Sequence, residues 1–320
     1  MPTPRSQPNV LAGPYLQRVA QWRKDEARLR AALADPQTLF VPVWRTRSLI
    51  ARSGERLLAG LLDSAASFAT VPPSEFILLG EFRERAVFAV ELTGELPSIA
   101  DPRDFRDLRL IAGELPPEEA GLLAYARAMV YWRERHRYCG RCGSLTRPLE
   151  AGHVLECTNA SCALHQFPRI DPAVIVLITD GERALLGRQA SWPAGRYSTI
   201  AGFVEPGESL EDAVAREVRE ETGIELDRID YHSSQPWPFP SSLMLGFTAH
   251  ASTTEILRAD EELEDALWVS RSELAAGAVA LPTTHSISFR LIEDWYDSGA
   301  ERPLREEPGV KMWQLPKDSA

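Results

Sequence analysis

Residues 201–224 read Ala201-Gly-Phe-Val-Glu-Pro-Gly-Glu-Ser-Leu-Glu-Asp-Ala-Val-Ala-Arg-Glu-Val-Arg-Glu-Glu-Thr-Gly-Ile224. Ser209 is a helix N-cap, and Asp212, three residues on, completes a variant of the capping box. Gly223 supplies the stop signal, so the spacing predicts a helix over 210–222. Successive helical residues lie about 100° apart. With Glu217 at zero, Leu210, Ala213, Val214 and Val218 fall at about +20°, −40°, +60° and +100°, and Glu220 and Glu221 at about −60° and +40°. Three carboxylates therefore share the apolar face, while Glu211, Asp212, Ala215, Arg216 and Arg219 occupy the rest. Like charges one turn apart repel, and a half-buried carboxylate loses hydration. A divalent cation removes both penalties, because carboxylate oxygens are the preferred ligands of Mg2+ and Mn2+, and Mg2+ commonly bridges to substrate phosphates. The competing reading is a highly charged helix whose acids simply reach solvent.

The same stretch resembles the Nudix box: Gly, five residues, Glu, seven residues, then Arg-Glu-aliphatic-x-Glu-Glu-x-Gly-aliphatic. Gly202, Glu208, Arg216, Glu217, Val218, Glu220, Glu221, Gly223 and Ile224 meet every defined position. Nudix hydrolases cleave a phosphoanhydride in a nucleoside diphosphate linked to another group. The resemblance implies that Glu217, Glu220 and Glu221 bind the catalytic metals, with the Ala201 main-chain carbonyl as a further ligand. It also implies that Glu208 pairs with Arg216 and holds the loop against the helix.

Upstream, the chain's four cysteines, Cys139, Cys142, Cys157 and Cys162, form a CxxC, a gap of fourteen residues and a CxxxxC. Two short-spaced pairs supply four thiolates able to close around one Zn2+, against the competing reading of four free or disulfide-bonded cysteines. With no position left open for water, such a zinc is structural. Gly140 and Gly143 suit tight turns that aim backbone N–H groups at sulfur. Arg133, Arg135, Arg137, Arg141 and Arg147 surround the module, as a solvated face or as a phosphate-attracting rim.

Downstream comes Ser234-Gln-Pro-Trp-Pro-Phe-Pro-Ser-Ser-Leu-Met244. Its alternating prolines read as an extended loop, and Trp237 and Phe239 held on it offer a low-entropy surface for a flat heterocycle. An SQPWPFPxS segment after a Nudix box, with a four-cysteine ribbon before it, resembles the NADH pyrophosphatase (NudC) family of Nudix hydrolases. Box, ribbon and segment cover about residues 130–245, and the Gly80–Leu92 stretch GEFRERAVFAVEL fits more loosely. The resemblance implies hydrolysis of NADH or NAD+ to a nicotinamide mononucleotide and AMP with two or three Mg2+ or Mn2+ ions. It further implies one structural Zn2+ per chain and a homodimer whose pocket both subunits complete. Some members of the family also remove an NAD cap from RNA.

Residue by residue, the resemblance places Gln235, Pro236, Trp237, Pro238, Phe239, Pro240, Ser241 and Ser242 along the dinucleotide pocket, together with Phe167, Phe203 and Ser288. Glu262 aligns best with the family's extra metal-binding glutamate, and Glu261 is the competing register. The chain departs from the family in three places. The second cysteine pair is spaced by four residues where two is commoner, Phe167 stands where a Tyr often precedes Pro-Arg, and Ser288 falls where a small Ala is expected.

The remaining sequence sets the frame. At 320 residues, two large domains are expected. The fold class is α+β: an N-terminal α/β domain over 1–130, a zinc ribbon over 131–167, and a C-terminal Nudix α/β/α sandwich over 168–320. Helices are predicted over Tyr15–Leu33 and Pro116–Arg135, and strands over Phe76–Leu79, Ala86–Leu92 and Ala173–Thr179. The first 130 residues carry no chemical motif and read as scaffold or dimer contact, with direct substrate contact as the competing reading. A net charge of 35 − 46 = −11 argues against a surface built wholly to hold nucleic acid. The longest apolar run, Ala173–Ile178, is far below a membrane span, and MPTPRSQPNV lacks a signal-peptide core, so a cytoplasmic protein without membrane partners is expected. Against NADH hydrolysis stand NAD-cap removal from RNA by the same chemistry, an ADP-ribose or dinucleoside polyphosphate hydrolase, and a ribbon binding module carrying a retired Nudix domain.

Overall fold

The computed structural model describes residues 9–63, 65–68, 70–94, 99–101, 104–257 and 262–314. They form two compact units: residues 13–170 with 237–241, and residues 9–12 with 171–236 and 242–314. No helix among the described residues is long and apolar enough to cross a membrane.

In the first unit, α1 (Glu26–Ala34) precedes strands β1 (Leu39–Trp44), β2 (Arg47–Ser53), β3 (Arg56–Ala59), β4 (Ile77–Phe82), β5 (Arg85–Leu92) and β6 (Phe105–Arg106). The sheet order is β3-β2-β1-β5-β4, with β6 beside β2. β1 and β5 run parallel; β4 and β5 form a hairpin through Arg83 and Glu84, both with left-handed φ as a two-residue turn requires. Phe40, Phe68, Phe76 and Phe88 make an aromatic core with Trp22. The short α2 (Leu108–Ile111) leads into the long, largely buried α3 (Pro117–Arg135). The ribbon follows as β7 (Thr146–Leu149), β8 (Val154–Cys157) and β9 (His165–Gln166), ordered β7-β8-β9.

The helix expected over Tyr15–Leu33 is shorter. Gln17 pairs with Glu81 in a β-bridge, Ala20–Trp22 is a single 3-10 turn, and α1 starts only where Asp25 caps the Arg28 amide. The apolar residues before it serve irregular packing, with Trp22 buried in the aromatic core.

The second unit is built on β10 (Asp171–Thr179), β11 (Arg183–Arg188), β12 (Ile200–Phe203), β13 (Leu226–Trp237), β14 (Ser242–Ala251) and β15 (Asp265–Ser270). Their order is β13-β14-β10-β11-β15, with β12 paired to β10. The Ala173–Thr179 run is wholly apolar up to Ile178 because β10 is covered on both faces. Val174, Val176 and Ile178 pack into one core with Ala213, Val214 and Val218 of α4 (Leu210–Thr222). Ile175 and Leu177 pack into another with Leu281, Phe289, Leu291 and Ile292. Each Val, Leu, Ile or Phe among them is worth about 1.5–3 kcal/mol when fully buried. The short α5 (Arg271–Ala275), β16 (Ala280–Leu281), α6 (Ile287–Asp297) and β17 (Lys311–Met312) complete the sandwich. Pro236 is tolerated inside β13 because β13 is an edge strand, so the expected extended loop is instead a strand end followed by a turn over 238–241.

Candidate active site and zinc centre

α4 occupies the span read from sequence, because its ends are fixed locally. Ser209 and Asp212 close the capping box reciprocally, and Gly223 takes the left-handed cap conformation. Its carboxylates then divide. Glu217 is buried and Glu221 is 3% exposed, while the Glu220 side chain is 54% exposed. Glu220 sits at the edge of the apolar stripe rather than within it, and its carboxylate accepts from Arg216 Nη1 at 3.0 Å.

Arg216 is the hub. Its Nε and Nη2 donate to the two Glu208 oxygens at 2.6 and 2.9 Å, a bidentate pair. Nη2 also donates to the Phe203 carbonyl at 3.0 Å, and Nη1 lies 2.9 Å from Glu217 Oε1. The Glu205 amide donates to Glu208 as well. The loop after β12 is thereby bonded to the helix at both ends. The Arg216 bonds hold the Glu208 carboxyl down to about 2, and Glu208 raises Arg216 in return. Burial pushes the Glu217 carboxyl up, against Arg216, and the charges of Glu262 and Glu220 push in the same direction as burial. Glu262 is thus within electrostatic reach of Glu217, whereas Glu261 lies outside the described residues.

The donor set fits a hard divalent cation. Buried carboxylates at Glu217 and Glu221 stand one turn apart, and Glu217 lies hard against Gly202, next to Ala201, on β12. Burial, and to a lesser extent the neighbouring carboxylates, raise Glu217, and a cation offsets both.

Among the described residues, the cysteines are the one group of three or more such side chains whose ligand atoms converge, all within 4.8 Å of one another. Cys139 and Cys162 sulfurs are 3.8 Å apart and Cys142 and Cys157 3.4 Å, with no disulfide. A tetrahedron with Zn–S bonds of about 2.3 Å has edges of roughly 3.8 Å. The Arg141 amide donates to Cys139 at 3.4 Å and lowers its pKa, as the turn glycines foreshadow. The arginines around the ribbon are mostly spent: Arg133 pairs with Glu75, Arg137 with Glu91, and Arg147 with Glu156. Arg135 lies over Tyr131, and Arg141 makes no side-chain pair among the described residues.

The residues expected along the substrate pocket fall into two sorts. Phe167 and Phe203 are 64% and 60% exposed. Trp237 and Phe239 meet edge to face, 5.0 Å between centroids. Gln235 and Ser288, by contrast, are buried and committed internally. The Gln235 amide donates to the Val10 and His285 carbonyls, both at 2.8 Å, and accepts from the Ile287 amide. The Ser288 hydroxyl meets Ser198 and Thr199, both at 2.8 Å, bracing the approach to β12. Pro236 and Pro240 are exposed, Pro238 is buried, and Ser241 and Ser242 are half-buried.

Sequence reasoning missed two contributors. Asn9 donates to Ser233 and to the Ser234 carbonyl and accepts from Arg290, so the first described residues brace the strand that carries Gln235. No periodicity or motif marks Asn9. The other is Arg127 of α3, whose Nη1 donates to the Pro238 carbonyl; it lies off the helix side that carries Leu122, Tyr125, Ala126, Met129 and Val130, so no periodicity marks it.

Comparison with known proteins matches three family models in chain order. A "NADH pyrophosphatase-like rudimentary NUDIX domain" matches residues 37–132, a "NADH pyrophosphatase zinc ribbon domain" residues 134–167, and a "NUDIX domain" residues 169–294. A Deinococcus radiodurans protein named NAD-capped RNA hydrolase NudC is 42% identical over 276 residues, 84% of this chain and 90% of its own. A Stutzerimonas stutzeri protein of the same name is 40% identical over 231 residues, 72% of this chain and 81% of its own. Human NAD-capped RNA hydrolase NUDT12 is 41% identical over 197 residues, 57% of this chain and 43% of its own length. Fold and box together are those of a Nudix hydrolase. The chain belongs to the NADH pyrophosphatase (NudC) family, with its zinc ribbon between a rudimentary and a complete Nudix domain.

Proposed function

We propose that this protein hydrolyses the pyrophosphate bond of NADH or NAD+, giving a nicotinamide mononucleotide and AMP, and removes the NAD cap from RNA by the same chemistry. The observation that carries the reading is the Glu208–Arg216–Glu217–Glu220 network on a box helix followed by the SQPWPFP segment. Relatives named NAD-capped RNA hydrolases, matched over most of the chain, support it.

In this reading Glu217, Glu220, Glu221, Glu262 and the Ala201 carbonyl hold two or three Mg2+ or Mn2+ ions. Bound there, the ions supply neutralisation of the phosphoanhydride oxygens and a more acidic water. Glu208 and Arg216 keep the loop after β12 on the helix, and Arg216 fixes the directions of Glu217 and Glu220. Glu220 or Glu221 takes the proton of the water that attacks phosphorus in line. Gln235 shapes the strand entering the aromatic turn, and Trp237 and Phe239 stack a flat base. The cysteines hold one structural Zn2+, the chain acts as a cytoplasmic homodimer, and the domains divide at 130 and 167.

Product analysis tests the reading. Purified protein with Mg2+ or Mn2+ receives NADH, ADP-ribose and NAD-capped RNA in parallel. NADH or capped RNA is expected to release AMP or a 5′-monophosphate end faster than ADP-ribose is consumed. Preferential turnover of ADP-ribose would replace the proposal with a general nucleoside diphosphate hydrolase.

A further inference from the structure

α3 is largely buried. Of its charged residues on the packed sides, buried Glu119 pairs with Arg83 and buried Arg133 with Glu75, whereas half-buried Arg127 has no such partner among the described residues. With successive residues about 100° apart, Ala120, Leu123, Ala124 and Val130 lie within about 60° of Arg127 and are buried, as do half-buried Tyr131 and exposed Glu134 toward the helix end. Arg127 puts a guanidinium among them. It forms no ion pair with a carboxylate among the described residues, and its Nε is buried without a hydrogen-bond partner. Burial lowers its pKa, opposed by the more distant charges of Asp107 and Tyr131. A cation so placed is costly, and a Met or Leu would fill the same stripe without that cost.

What the guanidinium does touch is the aromatic turn. Residues 237–241 cluster with this unit. Arg127 Nη1 donates to the Pro238 carbonyl, and the guanidinium carbon stands 4.9 Å from the Phe239 ring centroid. Phe239 in turn meets Trp237 at 81°. One planar group thus fixes a backbone carbonyl and the face of the adjacent ring at once. A guanidinium performs both tasks from one position, and an ammonium does not.

We propose that Arg127 is a positioning residue that acts through Phe239, setting the Trp237–Phe239 pair to stack a flat base of the dinucleotide. The inference rests on the reading that this turn lines the substrate pocket. It gives the rudimentary Nudix domain, which lacks the box, a part in selecting the substrate. Base stacking on an aromatic ring contributes to binding, so mis-setting the rings acts on binding rather than on the chemical step.

The test is steady-state NADH hydrolysis by R127M, R127K, F239L, W237A and the R127M/F239L double variant, with zinc content and melting temperature measured for each. R127M is expected to raise KM about tenfold with kcat within about twofold of wild type. R127K, which restores charge without the planar fork, is expected to recover less than half of that loss. In the F239L background, R127M is expected to add less than twofold. If F239L and W237A raise KM but R127M does not, the inference fails while the reading of the turn stands. Full rescue by R127K, or independent effects in the double variant, also overturns it. If F239L and W237A leave KM unchanged, the reading of the turn fails and the inference falls with it. Should R127M not fold, R127Q, which keeps a donor for the Pro238 carbonyl, carries the same comparison.

Discussion

A side-chain carbon on Gly202 would lie 1.9 Å from the Glu217 carboxyl carbon. The backbone of Gly202 is ordinary, so this glycine is needed for space alone. It lets a buried carboxylate of α4 rest directly against β12. Gly202→Ala is therefore expected to push the end of the Glu217 side chain aside. That end is flexible, so the stability loss should stay within about 1–3 kcal/mol. Turnover should fall on the order of 100-fold, since a displacement near 1 Å at a catalytic group has that effect. Melting temperature and kcat, measured together, check it.

Glu221→Gln keeps the shape of a side chain only 3% exposed and removes its charge. Zinc content and melting temperature should stay near wild type, and turnover should drop on the order of 100-fold or more. A near wild-type rate would remove Glu221 from the metal-holding set.

Much of this site was legible because helix 210–222 states its own limits: Ser209 and Asp212 begin it and Gly223 ends it. Local chemistry also made the ribbon readable, since four thiols at that spacing have few other uses. The rudimentary domain carries no such chemistry. The stretch from Tyr15 has helical-looking periodicity, yet Gln17 goes to a β-bridge and Trp22 to the aromatic core. Long-range packing decides both, and no local signal reports it. Gln235 looked like a ligand because it sits in the SQPWPFP segment. Its partners Val10, His285 and Ile287 lie far off in sequence, so its commitment to them was invisible there.

His153, in the first unit, gives the fold a pH dependence of its own. Its ring is buried, with Nε2 2.7 Å from the Leu78 carbonyl, and burial holds its pKa down to about 4 from an ordinary 6.5. The folded state thus favours the neutral ring. The contribution is complete above pH 6.5 and shrinks as pH falls toward 4, where the unfolded chain binds the extra proton. The loss should approach about 3 kcal/mol. Chemical denaturation of wild type and His153→Gln between pH 4 and 7.5 measures it, and the variant should show a flatter profile.

Removing zinc should leave the Nudix helix chemically intact but release the ribbon. Cys157→Ser is expected to lose the metal and at least about 3 kcal/mol, or roughly 6–12 °C in melting temperature. Metal analysis should find one zinc per wild-type chain and none in the variant.

With Arg133, Arg137 and Arg147 already paired to carboxylates, the ribbon offers at most Arg135 and Arg141 to an RNA backbone. Two phosphate contacts on a single strand give a slope of about −1.4 for log kcat/KM against log salt. Capped RNA is expected to show a slope no steeper than that, and R135Q/R141Q should flatten it further. A slope of −4 would place the RNA on some other surface.

The saturation of Gln235 has a consequence for redesign. Its amide already has three partners at 2.8 Å, so it has little capacity left for a new base and much to lose by substitution. A library meant to change which nucleotide is accepted should hold Gln235 fixed and vary positions 237 and 239. Randomising the whole segment together would mostly yield chains whose frame has failed before their selectivity can be read.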